Sequence, residues 1–341
     1  MYLLKKNKQI TSYEVAGLAG VSRSAVSRTF TPGASVSAKT KEKVMSAADE
    51  LGYRPNVIAR SLITKKSQLI GLVMSDWLNP YYTAMLKSYS EKLQDANYQV
   101  ILATVNKGRD VDASIKFLMQ YQVDGIIIVS ASPTIETAAL CVQKNTPIVL
   151  LNRRANKINA CSVTLNHNEL GQQLANLALD LGYRRFALIR GQETIKTGRQ
   201  RTYAFNKVIE KSGKGKVVAN IVGVLGHDDG RAALAGMVKL KPDLVLCSSD
   251  LTALGVLDGA RLDYDLEVPK DLAIIGFGDA PVSSWGLNHL STVRLPIEHM
   301  IDRSINYLLA RINDPYLAPE SIALTAELIL RDTTQKPKVK H

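Results

Sequence analysis

Only three cysteines, Cys141, Cys161 and Cys247, occur in the 341-residue sequence, and they lie far apart. An odd, scattered set builds neither a disulfide framework nor a Cys-x-x-Cys metal site. No apolar run reaches the roughly 18 residues that a membrane-spanning helix needs, so the sequence predicts no membrane association. Met1-Tyr-Leu-Leu-Lys-Lys-Asn-Lys8 carries no long apolar segment behind its charges. That points away from secretion and towards the cytoplasm. Catalytic signatures are missing too: there is no Gly-x-Ser-x-Gly, no His-Glu-x-x-His and no Walker loop. Gly213-Lys-Gly215 reads as a turn rather than a phosphate cradle. His167, His227, His289 and His299 have no ligand spacing to one another and read as ordinary surface or core histidines. Asp228-Asp229-Gly230 has part of a calcium loop but lacks the rest. It reads as a helix start, where acids favour the dipole. The expectation is a protein with no metal, no cofactor and no enzyme activity.

Positive charge is plentiful and unevenly placed. The chain carries a formal net charge of +12. Residues 1–66 hold twelve Lys and Arg against four Asp and Glu, so +8 of that excess lies in the first fifth of the chain. A concentrated basic patch attracts a polyanion, because neutralised phosphates release condensed counterions. With 46% hydrophobic residues there is also ample material for a core.

The first 52 residues read as three short helices. Thr11-Ser-Tyr-Glu14 forms a capping box, and Val15 and Leu18 place apolar groups on one face. Ala19-Gly20-Val21 makes a tight turn, with Gly20 free to take positive φ. Ser22 caps a second helix, Arg23 to Arg28. Its Val26 faces inward and its Arg23, Ser24, Ser27 and Arg28 face outward. A third helix runs from its cap at Ser37 through Val44, Ala47 and Leu51, ending at Gly52. Two helices joined by a glycine turn form a helix-turn-helix, whose second helix fits the major groove. Arginine there reads guanine edges, and serine reads bases or holds phosphates. A small helical domain that binds protein, or nothing, is the alternative reading.

From Gln68 onward, apolar strands alternate with helices. Strands are expected at 69–74, 100–104, 125–129, 148–151, 186–189, 221–224, 244–247 and 272–275. Continuous apolar strands between helices mean parallel sheets covered on both faces. The fold class is therefore α/β: an all-α headpiece followed by two doubly wound sheets. Ligands of such sheets sit outside the C-terminal strand ends.

The sequence resembles the lac repressor / galactose repressor family. The resemblance rests on Tyr13-Glu-Val-Ala-Gly-Leu-Ala-Gly-Val-Ser-Arg-Ser-Ala-Val-Ser-Arg28, on Val36-Ser-Ala-Lys-Thr-Lys-Glu-Lys-Val44 and on Leu51-Gly-Tyr-Arg-Pro-Asn-Val-Ile-Ala-Arg-Ser-Leu62, and it continues through the core. It implies a helix-turn-helix headpiece over 1–54, a hinge helix and linker over 55–66, and a bilobal periplasmic-binding-protein-like core over 67–341. Lobe one would take about 67–163 and 293–321, and lobe two about 164–292 and 322–332. The chain would cross between lobes near 162–165, near 291–294 and near 321, with a last strand over 322–331 in lobe two.

The resemblance also implies DNA contacts from Thr11, Ser12, Tyr13, Ser22, Arg23, Ser24, Ser27 and Arg28. Hinge contacts would come from Asn56, Ala59, Arg60 and Leu62, with Leu62 wedging a base step in the minor groove. A linker helix whose Leu62 packs on the core is the alternative. The implied function is that of a homodimeric transcription regulator, most often a repressor. It would bind double-stranded DNA at a pseudo-palindromic operator under the control of a small sugar-type effector. A sugar-binding protein without regulatory role is the rival reading. The implied effector residues are Asp76, Tyr81, Tyr82, Asn152, Arg201, Ser249, Asp250 and Asp279. Gly278 stands where many sugar-binding members have an aspartate, and Ser249 where some have asparagine. Losing an acid while keeping Arg201, with Arg153 and Arg199 nearby in sequence, tilts the pocket positive. Such a pocket suits a sugar acid or sugar phosphate. Otherwise Arg153 and Arg199 are solvated outside a neutral-sugar site.

Overall fold

The computed structural model describes residues 10–31, 33–54, 66–75, 79–105, 110–155, 157–192 and 196–334. The chain divides into two compact units, 1–67 and 68–341. The hinge residues Asn56, Ala59, Arg60 and Leu62, and the loop residue Asp76, lie outside the described residues.

The first unit holds helices α1 (Ser12–Ala19), α2 (Arg23–Thr29) and α3 (Ala38–Leu51). Each start is set by a hydroxyl side chain that accepts an otherwise unpaired backbone N–H. Thr11 accepts from Tyr13 N (3.2 Å), Ser22 from Ala25 N (3.2 Å) and Ser37 from Thr40 N (3.2 Å). The Thr11 N–H donates in turn to the Glu14 carboxylate at 3.0 Å, which completes the capping box. Gly20 ends α1 at φ +63°, as the turn requires. The core of this unit is Val15, Ala16, Ala19, Val26, Val44, Ala47 and Ala48. Leu18, expected on the inner face, is 49% exposed. The small Ala16 and Ala19 fill that face instead and let α1 approach α3.

The second unit contains two six-stranded sheets. Sheet one uses β1 (Leu69–Ser75), β2 (Gln99–Val105), β3 (Gly125–Val129), β4 (Ile148–Leu151), β5 (Cys161–Leu165) and β11 (Ser321–Leu324), in the order β11-β5-β4-β3-β1-β2. Sheet two uses β6 (Arg185–Arg190), β7 (Lys216–Val222), β8 (Leu244–Cys247), β9 (Ala273–Gly278), β10 (Ser291–Arg294) and β12 (Glu327–Ile329), in the order β12-β10-β9-β8-β6-β7. Every described pairing is parallel except β10 with β12. The helices between them are α4 (Pro80–Asp95), α5 (Val111–Gln120), α6 (Ile135–Gln143), α7 (His167–Asp180), α8 (Lys196–Ser212), α9 (His227–Met237), α10 (Asp250–Asp258) and α11 (Ile297–Asn313). Strands such as β3 and β5 are buried along their whole length, which explains their unbroken apolar or small-residue sequences. No described helix is long and apolar enough to cross a membrane.

The chain passes between sheets after β5 and after β10, at the ends of the ranges expected for the first two crossings, and after β11, three residues beyond the third. Residues 161–165, 291–294 and 321–324 are themselves strands, so each completes one sheet before the chain leaves it. The last strand expected over 322–331 is two strands. β11 extends sheet one beside β5, and β12 turns antiparallel against β10 in sheet two. Short edge strands alternate between exposed and half-buried residues and carry a weak pattern.

Asp279 does structural service. Its side chain, 10% exposed, accepts from Arg294 Nε at 2.6 Å and from Arg331 Nη2 at 2.7 Å. It thereby ties the end of β9 to β10 and to the C-terminal segment. The Asp279→Ala variant leaves the poorly exposed Arg331 without its carboxylate. It should cost about 2 kcal/mol and lower Tm by about 5 °C in calorimetry of the full chain. An unchanged Tm would remove this role.

Candidate functional site

Two sites emerge, one in each unit. On α2, Arg23, Ser24, Ser27 and Arg28 are exposed, with Ala25 and Val26 turned into the core. Tyr13 on α1 is 71% exposed. Thr11 and Ser22 are also exposed, and Ser12 is partly so. The Thr11 and Ser22 hydroxyls serve as helix caps, and Ser22 Oγ lies 2.9 Å from Ser24 Oγ. The Arg23, Ser27 and Arg28 side chains find no partner among the described residues. The outward face of the helix-turn-helix is therefore cationic and rich in hydroxyls, as the sequence predicts.

In the second unit a cavity of about 190 Å³ lies between the lobes. Its walls come from the C-terminal ends of parallel strands in both sheets and from the helix starts that follow, where α/β folds place ligands. From lobe one come Asn79, Tyr81 and Tyr82 at the start of α4, Ser130 after β3, Asn152 and Arg153 after β4, and Leu165 at the end of β5. Lobe two supplies His167 on α7, Arg190 on β6, Arg199 and Arg201 on α8, Ser249 and Asp250 at α10, and Phe277 on β9. Tyr81, Tyr82, Asn152, Arg201, Ser249 and Asp250 of the expected set are thus brought together. Asp279 is not, because its carboxylate faces Arg294 and Arg331. Arg153 and Arg199, whose place the sequence leaves open, both line the cavity.

The tyrosines are positioned from below. Asn79 caps α4 by accepting from Tyr81 N at 3.1 Å, and Pro80 pre-sets the first turn. Asn152, at φ +58°, donates from Nδ2 to the Tyr81 hydroxyl at 3.2 Å. Burial pushes the Tyr81 phenol well above its ordinary range. Tyr82 donates to Ser130 Oγ at 2.9 Å, and the two rings meet edge to face at 5.0 Å. Opposite them the Arg201 guanidinium lies 3.8 Å above the Phe277 ring. Its only recorded contact is this cation–π one. Close protein on all sides lowers its pKa to about 10, although the group opens onto the cavity. Gly171 on α7 makes this placement possible: a Cβ there would come within 2.3 Å of the Arg201 carbonyl.

Charge in the lining is lopsided. Among the described lining residues, Arg153, Arg190, Arg199 and Arg201 contribute cations, and Asp250 is the only carboxylate. Asp250 is committed inward: it accepts from the Thr292 hydroxyl and from Ala280 N at 2.7 Å. Burial raises its pKa nonetheless. Ser249 caps α10 through Thr252 N at 3.2 Å.

His167, which reads in the sequence as an ordinary surface or core histidine, also lines the cavity. It is 5% exposed, and neither ring nitrogen has a hydrogen-bond partner among the described residues. Desolvation, then Arg201, Arg154 and Arg153, lowers its pKa to about 3. The usable signal was its position two residues past a buried strand, at a helix start that faces the cleft. Ligand spacing among histidines was the wrong test. Arg190 and Phe277 lie just past the strand ends expected at 189 and 275, where β6 and β9 run on to the cavity.

Comparison with known proteins agrees with this geometry. Residues 11–56 match the family described as bacterial regulatory proteins, lacI family, and residues 175–334 match the periplasmic binding protein-like domain. The chain is 28% identical over 329 residues to catabolite control protein A of Staphylococcus aureus, covering 96% of this chain and 99% of that one. It is 28% identical over 335 residues, with the same coverage, to the probable HTH-type transcriptional repressor ExuR of Bacillus subtilis. Among solved structures it is similar to the lac repressor dimer bound to operator and the anti-inducer ONPF. There the TM-score is 0.84 at 25% identity, over 96% of this chain and 100% of that one. The chain thus carries the DNA-binding domain of the lacI family of bacterial regulatory proteins ahead of a periplasmic binding protein-like domain, and is similar over nearly its whole length to transcription regulators built in that way.

Proposed function

We propose that the chain is a homodimeric repressor whose hold on a pseudo-palindromic operator is set by an anionic sugar derivative, a sugar acid or sugar phosphate, bound between the lobes. The observation that carries the effector class is the lining itself: among the described residues, four arginines against one carboxylate, which already accepts from the Ala280 N–H. The starts of α4, α7, α8 and α10 adjoin the cavity as well and add the positive ends of their dipoles. Tyr81, Tyr82 and Phe277 offer aromatic faces to the C–H surface of a sugar ring. A cavity of this size suits one ring better than an oligosaccharide.

Exposed apolar groups support the dimer. Leu102, Phe117 and Tyr121 lie open on lobe one, and Leu262, Trp285 and Leu287 on lobe two. Each lobe so has a surface that a second copy would cover. In the dimer two α2 helices read two half-sites. Arg23, Ser24, Ser27 and Arg28 face base edges and phosphates, Thr11, Ser12, Tyr13 and Ser22 hold the backbone, and the hinge residues Asn56, Ala59, Arg60 and Leu62 reach the minor groove. Effector binding favours one lobe arrangement, and that preference is the whole of its leverage over DNA.

In a thermal-shift panel of neutral hexoses, hexuronates and hexose 6-phosphates, the anionic members should raise Tm. A response to neutral hexoses alone removes the anionic reading. Arg201→Ala should weaken effector binding by about a hundredfold, as expected for loss of a charged, desolvated contact, and leave operator affinity without effector unchanged. Isothermal titration and gel shift on the DNA upstream of the coding region measure the two. On that DNA, log K should fall against log salt with a slope of about −7 if the dimer neutralises about eight phosphates. A salt-insensitive complex contradicts the proposed interface.

A further inference from the structure

We propose that His167 is the cavity's effector-reading imidazole: it donates a hydrogen bond to an anionic oxygen of the effector and takes up a proton from water as that anion enters. This rests on the anionic-effector reading above. It adds a residue, an atom-level role and a pH dependence that the reading does not require.

The geometry is unusual for a structural histidine. A buried imidazole normally has a partner on at least one nitrogen, because an unmade hydrogen bond in the interior costs free energy. Here a side chain 5% exposed has none on either, and it lines the cavity. Its surroundings explain why it is neutral when the cavity is empty. From α8 it meets the field of Arg201, and from the segment after β4 that of Arg153 and Arg154. Arg190 of β6 and Arg199 line the same cavity, as do Tyr81 and Tyr82 of α4 and Asp250 of α10. On its own helix Glu169 is turned outward to the Asn166 cap. Among the described residues no carboxylate touches the ring.

An entering anion changes both conditions at once. It supplies the missing acceptor, and it turns the local field from cationic towards neutral. The same anion therefore favours the imidazolium, which carries a second N–H. The balance is simple: one proton moves from bulk water to the ring as one effector binds, and no bond other than N–H forms. The sign follows from linkage. A site that gains a proton on binding binds more tightly as pH falls, by at most tenfold per pH unit for one proton. Arg153 and Arg201 stay charged throughout and add no slope. Asp250 would respond in the same direction, so a histidine variant is needed to separate the two.

The test uses the full chain with glucuronate, galacturonate, glucose 6-phosphate and glucose as probes. Titration calorimetry is run between pH 7.5 and 5.5 in two buffers of different ionisation heat. Hexuronate carboxyls stay ionised across this range, so they contribute no proton of their own. For wild type we expect an anionic probe to bind at least threefold more tightly at pH 5.5 than at 7.5, with buffer-dependent heats showing proton uptake. His167→Gln keeps a neutral donor. It should bind the same anion with a flat pH profile and buffer-independent heat. A second variant, His167→Asn, guards against misfolding of the first, and Tm without ligand checks both. Anion binding with no proton uptake in wild type, or with the same pH slope in both variants, overturns the role of His167 and leaves the anionic effector standing. Binding of glucose alone, or of no probe, overturns both.

Discussion

A guanidinium, that of Arg201, held over an aromatic ring at the mouth of a cleft is the constraint around which the site of the second unit is organised. Two like charges about 8 Å apart repel by about 2 kcal/mol at an effective dielectric near 20, and an anion between them reverses the sign. Arginines gather in this way where strand ends of both sheets meet. There Gly171 lets α8 press against α7 with Arg201 on its inner side. Arg201 has an aromatic ring beneath it instead of an acid. Asp250 holds Thr292 and the backbone at Ala280, and Asp279 pairs with Arg294 and Arg331. Asp250 and Asp279 thus stabilise the frame, and Arg201 lines the cavity over an aromatic ring.

The same charge type serves a different purpose in the headpiece. Arg23 and Arg28 are exposed, so their field reaches into solvent and is screened by salt. That suits a polyanion met by diffusion, with many weak and replaceable contacts. In the cleft, Arg153 and Arg201 are partly shielded from solvent, so their contacts are stronger and their geometry more exacting. One chain so separates a long-range, salt-sensitive grip from a short-range, chemically selective one. What joins them is the preference of the small ligand for one arrangement of the lobes.

Much of this was legible in the residues. Thr11 with Glu14, Ser22 and Ser37 mark the headpiece helices because capping chemistry is local and uses few residue types. The inner strands are legible because burial on both faces demands unbroken apolar runs. Tyr81, Tyr82, Asn152 and Arg201 stand at strand ends or helix starts, where the fold class alone puts a ligand. What the sequence concealed was tertiary. Leu18 is apolar yet exposed, since small alanines make the closer contact. β11 and β12 are too short and too mixed to show a period, so the third crossing was placed early. Asp279 looks like a pocket acid until its two arginine partners, 15 and 52 residues away in sequence, are brought to it. His167 shows nothing in a linear pattern, because the absence of partners is a property of the folded surroundings.

The central claim is that an anion in the cleft and DNA on the headpiece are thermodynamically coupled. Reciprocity tests it most directly: the dissociation constant of the bound anionic sugar should be measured by titration calorimetry with the dimer free and with it saturated by its operator. Coupling requires the two constants to differ, by the same factor that the sugar imposes on operator affinity. Equal constants, with and without DNA, would contradict the account.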